Sequence, residues 1–168
     1  MGRRESSLES LVLNSFWTGK RVLLTGNTGF KGSWLSLWLH KMGAEVFGYS
    51  LAPEDNPSLF EQLGLADKVH HQEDDICDAD AIAKYVKDTK ADFVFHLAAQ
   101  SLVLRSYRKT INTWGTNVLG TAHLLEGLRQ VVHPCAAIVV TTDKVYQNNE
   151  FSHAFRETDR LGGIDPYS

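Results

Sequence analysis

The chain has 168 residues, 43% of them apolar and 22% charged, with a formal net charge of −3. That length suits one domain with a full hydrophobic core. The slight acidity leaves no basic footprint for nucleic acid or an anionic membrane surface. The longest apolar run, Trp34 to Leu39, is far short of the roughly 20 residues that span a bilayer. Cys77 and Cys135 form neither a C-x-x-C pair nor a zinc spacing. We read both as small core hydrophobes, and two isolated thiols fit a reducing compartment, hence a cytoplasmic protein.

Residues 1–15 read as a polar leader outside the fold, and 16–168 as one unit. The start Met1-Gly2-Arg3-Arg4-Glu5-Ser6 fits a loose acylation pattern, which is too short and common to carry weight. Lys20 to Thr25 is an aliphatic run leading into a glycine-rich turn, so it predicts a buried strand. Helical spacing follows over 30–42, with Trp34, Leu35, Trp38, Leu39 and Met42 on one face and Gly43 as the stop. Glu45 to Tyr49 predicts a second strand, Ala52 to Pro57 a loop, and Lys68 to Gln72 a third strand. Asp78 is a credible N-cap for a helix over 78–90.

Asp92 to Ala98 predicts the fourth strand. A long helix is expected from Thr110 to Val132, with Trp114, Val118, Leu125 and Leu128 on its buried side. Gly115 and Gly120 lower helix propensity there, so close packing is their expected use. Ala136 to Thr141 is nearly all apolar and predicts a fifth strand buried on both faces. The stretch 147–168 is polar, lacks periodicity and reads as loop. Strands alternating with helices imply an α/β fold, an open parallel sheet wound on both sides.

Between the first strand and first helix stand Gly26, Asn27, Thr28, Gly29, Phe30, Lys31 and Gly32. Such a turn lets backbone N–H groups approach a pyrophosphate at the positive end of a helix. Glycine alone is weak evidence, and the strand-turn-helix context supplies the rest. The acid expected at the end of the second strand for the adenosine ribose is missing, and Tyr49-Ser50-Leu51 stand there. No Arg replaces it, although Lys31 could reach a 2′-phosphate. Asp75 and Ile76 offer a carboxylate and an aliphatic face to an adenine; the bland alternative for Asp75 is a solvated loop charge. The reading favours NAD.

Three further signatures align with that turn. Leu97-Ala98-Ala99-Gln100-Ser101 ends the fourth strand, Asn117 to Thr121 lies in the long helix, and Thr141-Thr142-Asp143-Lys144-Val145-Tyr146 ends the fifth strand. The chain closes with Asp165-Pro166-Tyr167-Ser168. Together these resemble the extended short-chain dehydrogenase/reductase family, a Rossmann-like fold, over nearly the whole chain from Phe16. Within that family the set is most similar to the CDP-glucose 4,6-dehydratase branch.

The resemblance implies a lyase that uses bound NAD to oxidise C4 of a nucleotide-sugar, lose water from C5–C6, and return the hydride to C6. It implies CDP-glucose as substrate, a CDP-4-keto-6-deoxyglucose product and a homodimer. Tyr167 would take the 4-hydroxyl proton. A free phenol with a pKa of about 10 needs a nearby cation for that, and the family supplies a lysine shortly beyond the tyrosine. Thr142 would hydrogen-bond the reacting oxygen, and Asp143 would protonate the departing hydroxyl. Lys144 would assist at C5, where thymidine-nucleotide relatives carry Glu. The resemblance gives Asn117 a place in the proton and water network, and it puts Thr141 beside the cofactor. The branch commonly has His at position 27 and Pro at position 101, whereas this chain has Asn27 and Ser101.

Taken singly, each of these residues also has an ordinary structural role: strand end, cap, surface charge or loop aromatic. His96 reads as a satisfied core histidine, and none of the seven histidines has metal-ligand spacing. The chain is expected to be the cofactor-binding portion of such an enzyme, lacking the substrate-binding part and inactive alone. The rivals are another nucleotide-sugar dehydratase or an epimerase, and a non-catalytic NAD-binding module.

Overall fold

The computed structural model describes residues 16–54, 56–150 and 152–168. The leader expected over 1–15 lies outside the described residues. Five strands, β1 (Arg21–Thr25), β2 (Glu45–Ser50), β3 (His70–Glu73), β4 (Phe93–His96) and β5 (Ala136–Val139), form one sheet in the order β3-β2-β1-β4-β5. Every pairing is parallel. The expected open α/β sheet is therefore observed.

The helices are α1 (Phe30–Lys41), α2 (Leu59–Gln62), α3 (Ala79–Thr89), α4 (Val103–Arg108), α5 (Thr110–Trp114) and α6 (Gly120–Arg129). A π turn, Gly115–Leu119, joins α5 to α6. Side chains alternate along a strand, so β1 serves both faces of the sheet. Val22 and Leu24 pack with Leu39, Val46, Phe60 and Leu65 on the α1 side. Leu23 packs with Ile76, Ile82, Val94 and Leu124 on the α3 and α6 side. The strand order reverses about β1, which places a crevice at the C-terminal ends of β1, β2 and β4.

The caps follow local chemistry. Asp78 accepts from the Ala81 N–H at 3.0 Å and starts α3, as its position predicts. Ser58 and Glu61 form a reciprocal capping box that starts α2, a helix just past the loop expected over Ala52 to Pro57. No helix among the described residues is long and apolar enough to cross a membrane.

Three burial expectations need correction. Trp34 and Trp38 are 50% and 59% exposed, and the buried face of α1 is Gly32, Ser33, Ser36 and Leu39. Small residues, not the tryptophans, let this helix lie close to the sheet. Trp114, Val118 and Leu125 are likewise exposed, while Thr113, Gly120, Leu124 and Gly127 face inward. The π turn shifts the phase of the long helix, and its inner face carries glycines where α3 approaches. A Cβ on Gly127 would lie 3.1 Å from the Ala83 Cα. Finally, β5 ends the described sheet, and Ile138 is 48% exposed, so this strand is not buried on both faces. Cys77 and Cys135 are half-buried against the second core cluster, and burial raises both thiols above their ordinary range.

Candidate functional site

The turn after β1 is shaped by two glycines. Gly26 has φ +73°, and a Cβ there would lie 2.7 Å from the Ala98 backbone nitrogen. A Cβ on Gly32 would collide with the Gly26 carbonyl oxygen. Glycine is therefore required at both places, once by conformation and once by contact. The turn is held from below, where the Gly26 N–H donates to the Tyr49 carbonyl at 2.9 Å and the Ser33 hydroxyl donates to the Asn27 carbonyl at 3.2 Å. The first turn of α1 contains no acid, so its positive end stays uncompensated.

A cleft of about 580 Å³ opens beside this turn. Among the residues singled out in the sequence, Gly26, Thr28, Gly29 and Phe30 line it from the turn and Ser50 from β2. Asp75 and Ile76 line it after β3, and Leu97, Ala98 and Ala99 after β4. Lys31, Gly32, Asn117 and Thr141 do not line it. The Tyr49 hydroxyl donates to the Asp75 carbonyl at 3.2 Å and so ties the β3 loop to β2. Burial, with the Asp74 charge behind it, holds that phenol above its ordinary range. Glu54 and Arg105, unremarked in the sequence, meet across the cleft, the Arg105 guanidinium donating to both carboxylate oxygens at 2.9 Å.

His96 organises the wall formed by the segment after β4. The Thr121 hydroxyl donates to the Asn117 carbonyl at 2.7 Å, so its oxygen accepts from His96 Nε2–H at 2.9 Å. His96 Nδ1 is then an acceptor, and the Thr25 hydroxyl donates to it at 2.6 Å. The Thr25 oxygen in turn accepts the N–H groups of Leu97 and Ala98, each at 3.2 Å. Every proton in this chain has one direction. Burial lowers the imidazole pKa to about 4, which keeps it neutral and suits the satisfied core role.

Asn117 does something the sequence reading did not foresee. Its Oδ1 accepts the Gln100 N–H at 2.8 Å, and its Nδ2 donates to the Gln100 carbonyl at 3.0 Å. It clamps the backbone of the wall from within the π turn. The Gln100 side chain continues the clamp, donating to Thr113 Oγ1 at 3.0 Å and accepting from the Leu102 N–H at 2.8 Å.

The second candidate cluster follows β5. Thr142 caps a single 3₁₀ turn, Asp143–Val145, accepting the Lys144 N–H and donating to Asp143 Oδ1, both at 3.3 Å. The chain then returns to this turn. Gln147 N–H donates to the Arg160 carbonyl and Gly162 N–H to the Val145 carbonyl, each at 2.8 Å, and Tyr146 stacks on Phe155. Tyr167 sits in the closing turn, where its N–H donates to Asp165 Oδ1 at 2.8 Å. Thr142, Asp143 and Lys144 are thus brought together. No hydrogen bond, ion pair or ring contact joins Tyr167 to them among the described residues.

The GDP-mannose 4,6-dehydratase family model matches residues 23–168. The chain belongs to this family. It is 48% identical over 158 residues to the CDP-glucose 4,6-dehydratase of Salmonella typhimurium, covering 94% of this chain and 44% of that protein. It is 30% identical to the dTDP-D-glucose 4,6-dehydratase of Dictyostelium discoideum, covering 89% of this chain and 37% of that protein. The chain spans less than half the length of these relatives. Among solved structures, the UDP-glucose 4-epimerase of Thermotoga maritima with UDP-glucose superposes with a TM-score of 0.76 at 26% identity, covering 87% of this chain and 46% of that one. MoeE5 in complex with UDP-glucose and NAD gives 0.70 at 26% identity, covering 87% and 44%.

Proposed function

We propose that this chain is the NAD-binding portion of a CDP-glucose 4,6-dehydratase, a cytoplasmic lyase that forms CDP-4-keto-6-deoxyglucose. The observation that carries this reading is the 48% identity to the Salmonella CDP-glucose enzyme, against 30% to the dTDP-glucose enzyme of Dictyostelium.

The cleft fits the dinucleotide. Gly26 and Gly29 line it with backbone that a phosphate can approach, Gly32 lets the turn close beneath them, the end of α1 is uncompensated, and Ile76 and Leu97 add apolar lining to the Asp75 carboxylate. NAD held by the glycine turn and the Asp75–Ile76 wall would supply the hydride acceptor and donor for the sugar. The protein's own residues do the rest. Thr142 orients the reacting oxygen by a hydrogen bond, Tyr167 takes the hydroxyl proton, Asp143 delivers a proton to the departing hydroxyl, and Lys144 assists removal of the C5 proton. The exposed Trp114, Val118 and Leu125 on the long helix support a homodimer, and the net acidity argues against nucleic acid and anionic membranes as partners.

A chimera tests the proposal. The matching segment of the Salmonella enzyme is replaced by this chain and the product is given CDP-glucose. The reading predicts a 4-keto-6-deoxy product that Asp143→Asn and Lys144→Met suppress by about a hundredfold or more. A folded chimera that binds NAD yet converts no CDP-glucose contradicts it.

A further inference from the structure

The strand order puts β2 and β4 on either side of β1, so the chain leaving β2 and the chain leaving β4 form opposite walls of the crevice at the glycine turn. Glu54 stands on the first wall and Arg105, in α4, on the second. Arg105 Nη1 donates to both carboxylate oxygens of Glu54 at 2.9 Å. The other ion pairs among the described residues are more local. Lys84–Asp88 and Glu126–Arg129 each lie within one helix, and Glu45 meets Arg21 and His70 on neighbouring strands. Glu54–Arg105 alone joins two walls that share no backbone pairing.

The two walls are held unequally. Arg105 N–H donates to the Leu102 carbonyl at 3.0 Å, and the Arg105 carbonyl accepts the Lys109 N–H at 2.8 Å. The Leu102 N–H is fixed in turn by Gln100, whose backbone Asn117 clamps. The opposite wall is tethered at Leu51, where the carbonyl accepts the Thr28 hydroxyl at 2.9 Å. Among the described residues no hydrogen bond holds Ala52 or Pro53, and Glu54 is bonded to Arg105 alone. Residues 51–54 therefore form a strap, fastened to the glycine turn at one end and to Arg105 at the other.

The fastening is reversible by its chemistry. The Arg105 and Glu54 side chains are 37% and 69% exposed, so water and salt compete for the pair and it opens at small cost. With the pair formed the cleft keeps about 580 Å³, so the contact spans the opening without filling it. The proposed reaction returns to the sugar the hydride it removed, which requires the cofactor to stay in place between the two transfers. We propose that Glu54 and Arg105 are a latch that holds the 51–54 strap closed over the bound dinucleotide and slows its release. The inference rests on the reading of the cleft as an NAD site. Both are positioning residues, acting on the cofactor through the strap.

The test follows the release of NADH from the chain by its fluorescence, in a stopped-flow chase with excess NAD. The wild type is compared with Glu54→Gln, Arg105→Gln and the double variant, with thermal melting as the check on folding. Each single variant is expected to release NADH about two- to fivefold faster. The double variant is expected to be no faster than either single one, because the two changes break one contact. Added salt is expected to speed release from the wild type and to leave the variants nearly unchanged. Unchanged release in a folded Glu54→Gln variant overturns the inference. So do effects that multiply in the double variant, or acceleration by Arg105→Gln alone, the mark of a direct contact to the cofactor. These results leave dinucleotide binding intact. If Arg105→Gln does not fold, Glu54→Gln and the salt dependence of the wild type decide. A wild-type chain that binds neither NADH nor NAD overturns the proposed function and this inference with it.

Discussion

The Thr25 hydroxyl and the His96 imidazole meet 2.6 Å apart on neighbouring parallel strands, where Thr25 stands in register with His96. The contact joins the strand that feeds the glycine turn to the strand that feeds the opposite wall of the cleft. His96 then reaches Thr121 on the long helix, so one neutral imidazole fixes three elements around the cofactor crevice.

This contact predicts an acid-sensitive fold. The native imidazole takes a proton only near pH 4, whereas the unfolded chain takes it near the ordinary 6.5. His96 therefore costs no stability above pH 6.5. As pH falls below that value the unfolded chain gains protons first, and stability declines until the native ring protonates as well. The total is on the order of 3 kcal/mol. Urea denaturation at pH values between 4 and 7 checks it. His96→Gln is expected to remove most of the slope, leaving the smaller part from His71, whose pKa burial also lowers. The same slope in the variant would reject the assignment.

Gly120 and Gly115 differ in kind despite sharing the long helix. A Cβ on Gly120 would lie 2.7 Å from Ile76 Cγ2, but one on Gly115 would meet nothing closer than Cys77 Sγ at 3.9 Å. Gly120→Ala is expected to destabilise by about 1–3 kcal/mol through overpacking. Gly115→Ala should be neutral or stabilising by up to about 1 kcal/mol, from helix propensity. Chemical denaturation of the two variants gives the comparison.

Asn117 is expected to act on the cleft without lining it. Asn117→Ala leaves the Gln100 N–H and carbonyl without their partner, for a loss of about 1–3 kcal/mol. NAD affinity should weaken with it, because the released segment carries Leu97, Ala98 and Ala99. A variant that loses stability while keeping full NAD affinity would separate the clamp from the cleft.

Much of this architecture is legible in the sequence because it is local. The run from Arg21 to Phe30 encodes a strand, a glycine turn and a helix start within a few residues, and Asp78 announces its own helix. The capping box at Ser58 and Glu61 is equally legible, in the stretch between the loop ending at Pro57 and the third strand that the sequence reading leaves unassigned. Burial was harder to read. Trp34, Trp38 and Trp114 have helical spacing, but spacing identifies an apolar face without saying whether it meets the sheet, and the close contacts fell to serines and glycines. The polar chains were not legible at all. Thr25 and His96 are 71 residues apart, Asn27 and His71 are 44 apart, and only the sheet order brings them together.

The central claim is that the crevice beside Gly26 and Gly32 holds NAD. Isothermal titration of the chain with NAD, beside Gly32→Ala, tests it most directly. The account predicts saturable binding at one site per chain and its loss in the variant, whose added Cβ must push away the Gly26 carbonyl. Absence of saturable binding to the folded wild-type chain would contradict it, as would equal affinity in a folded Gly32→Ala variant.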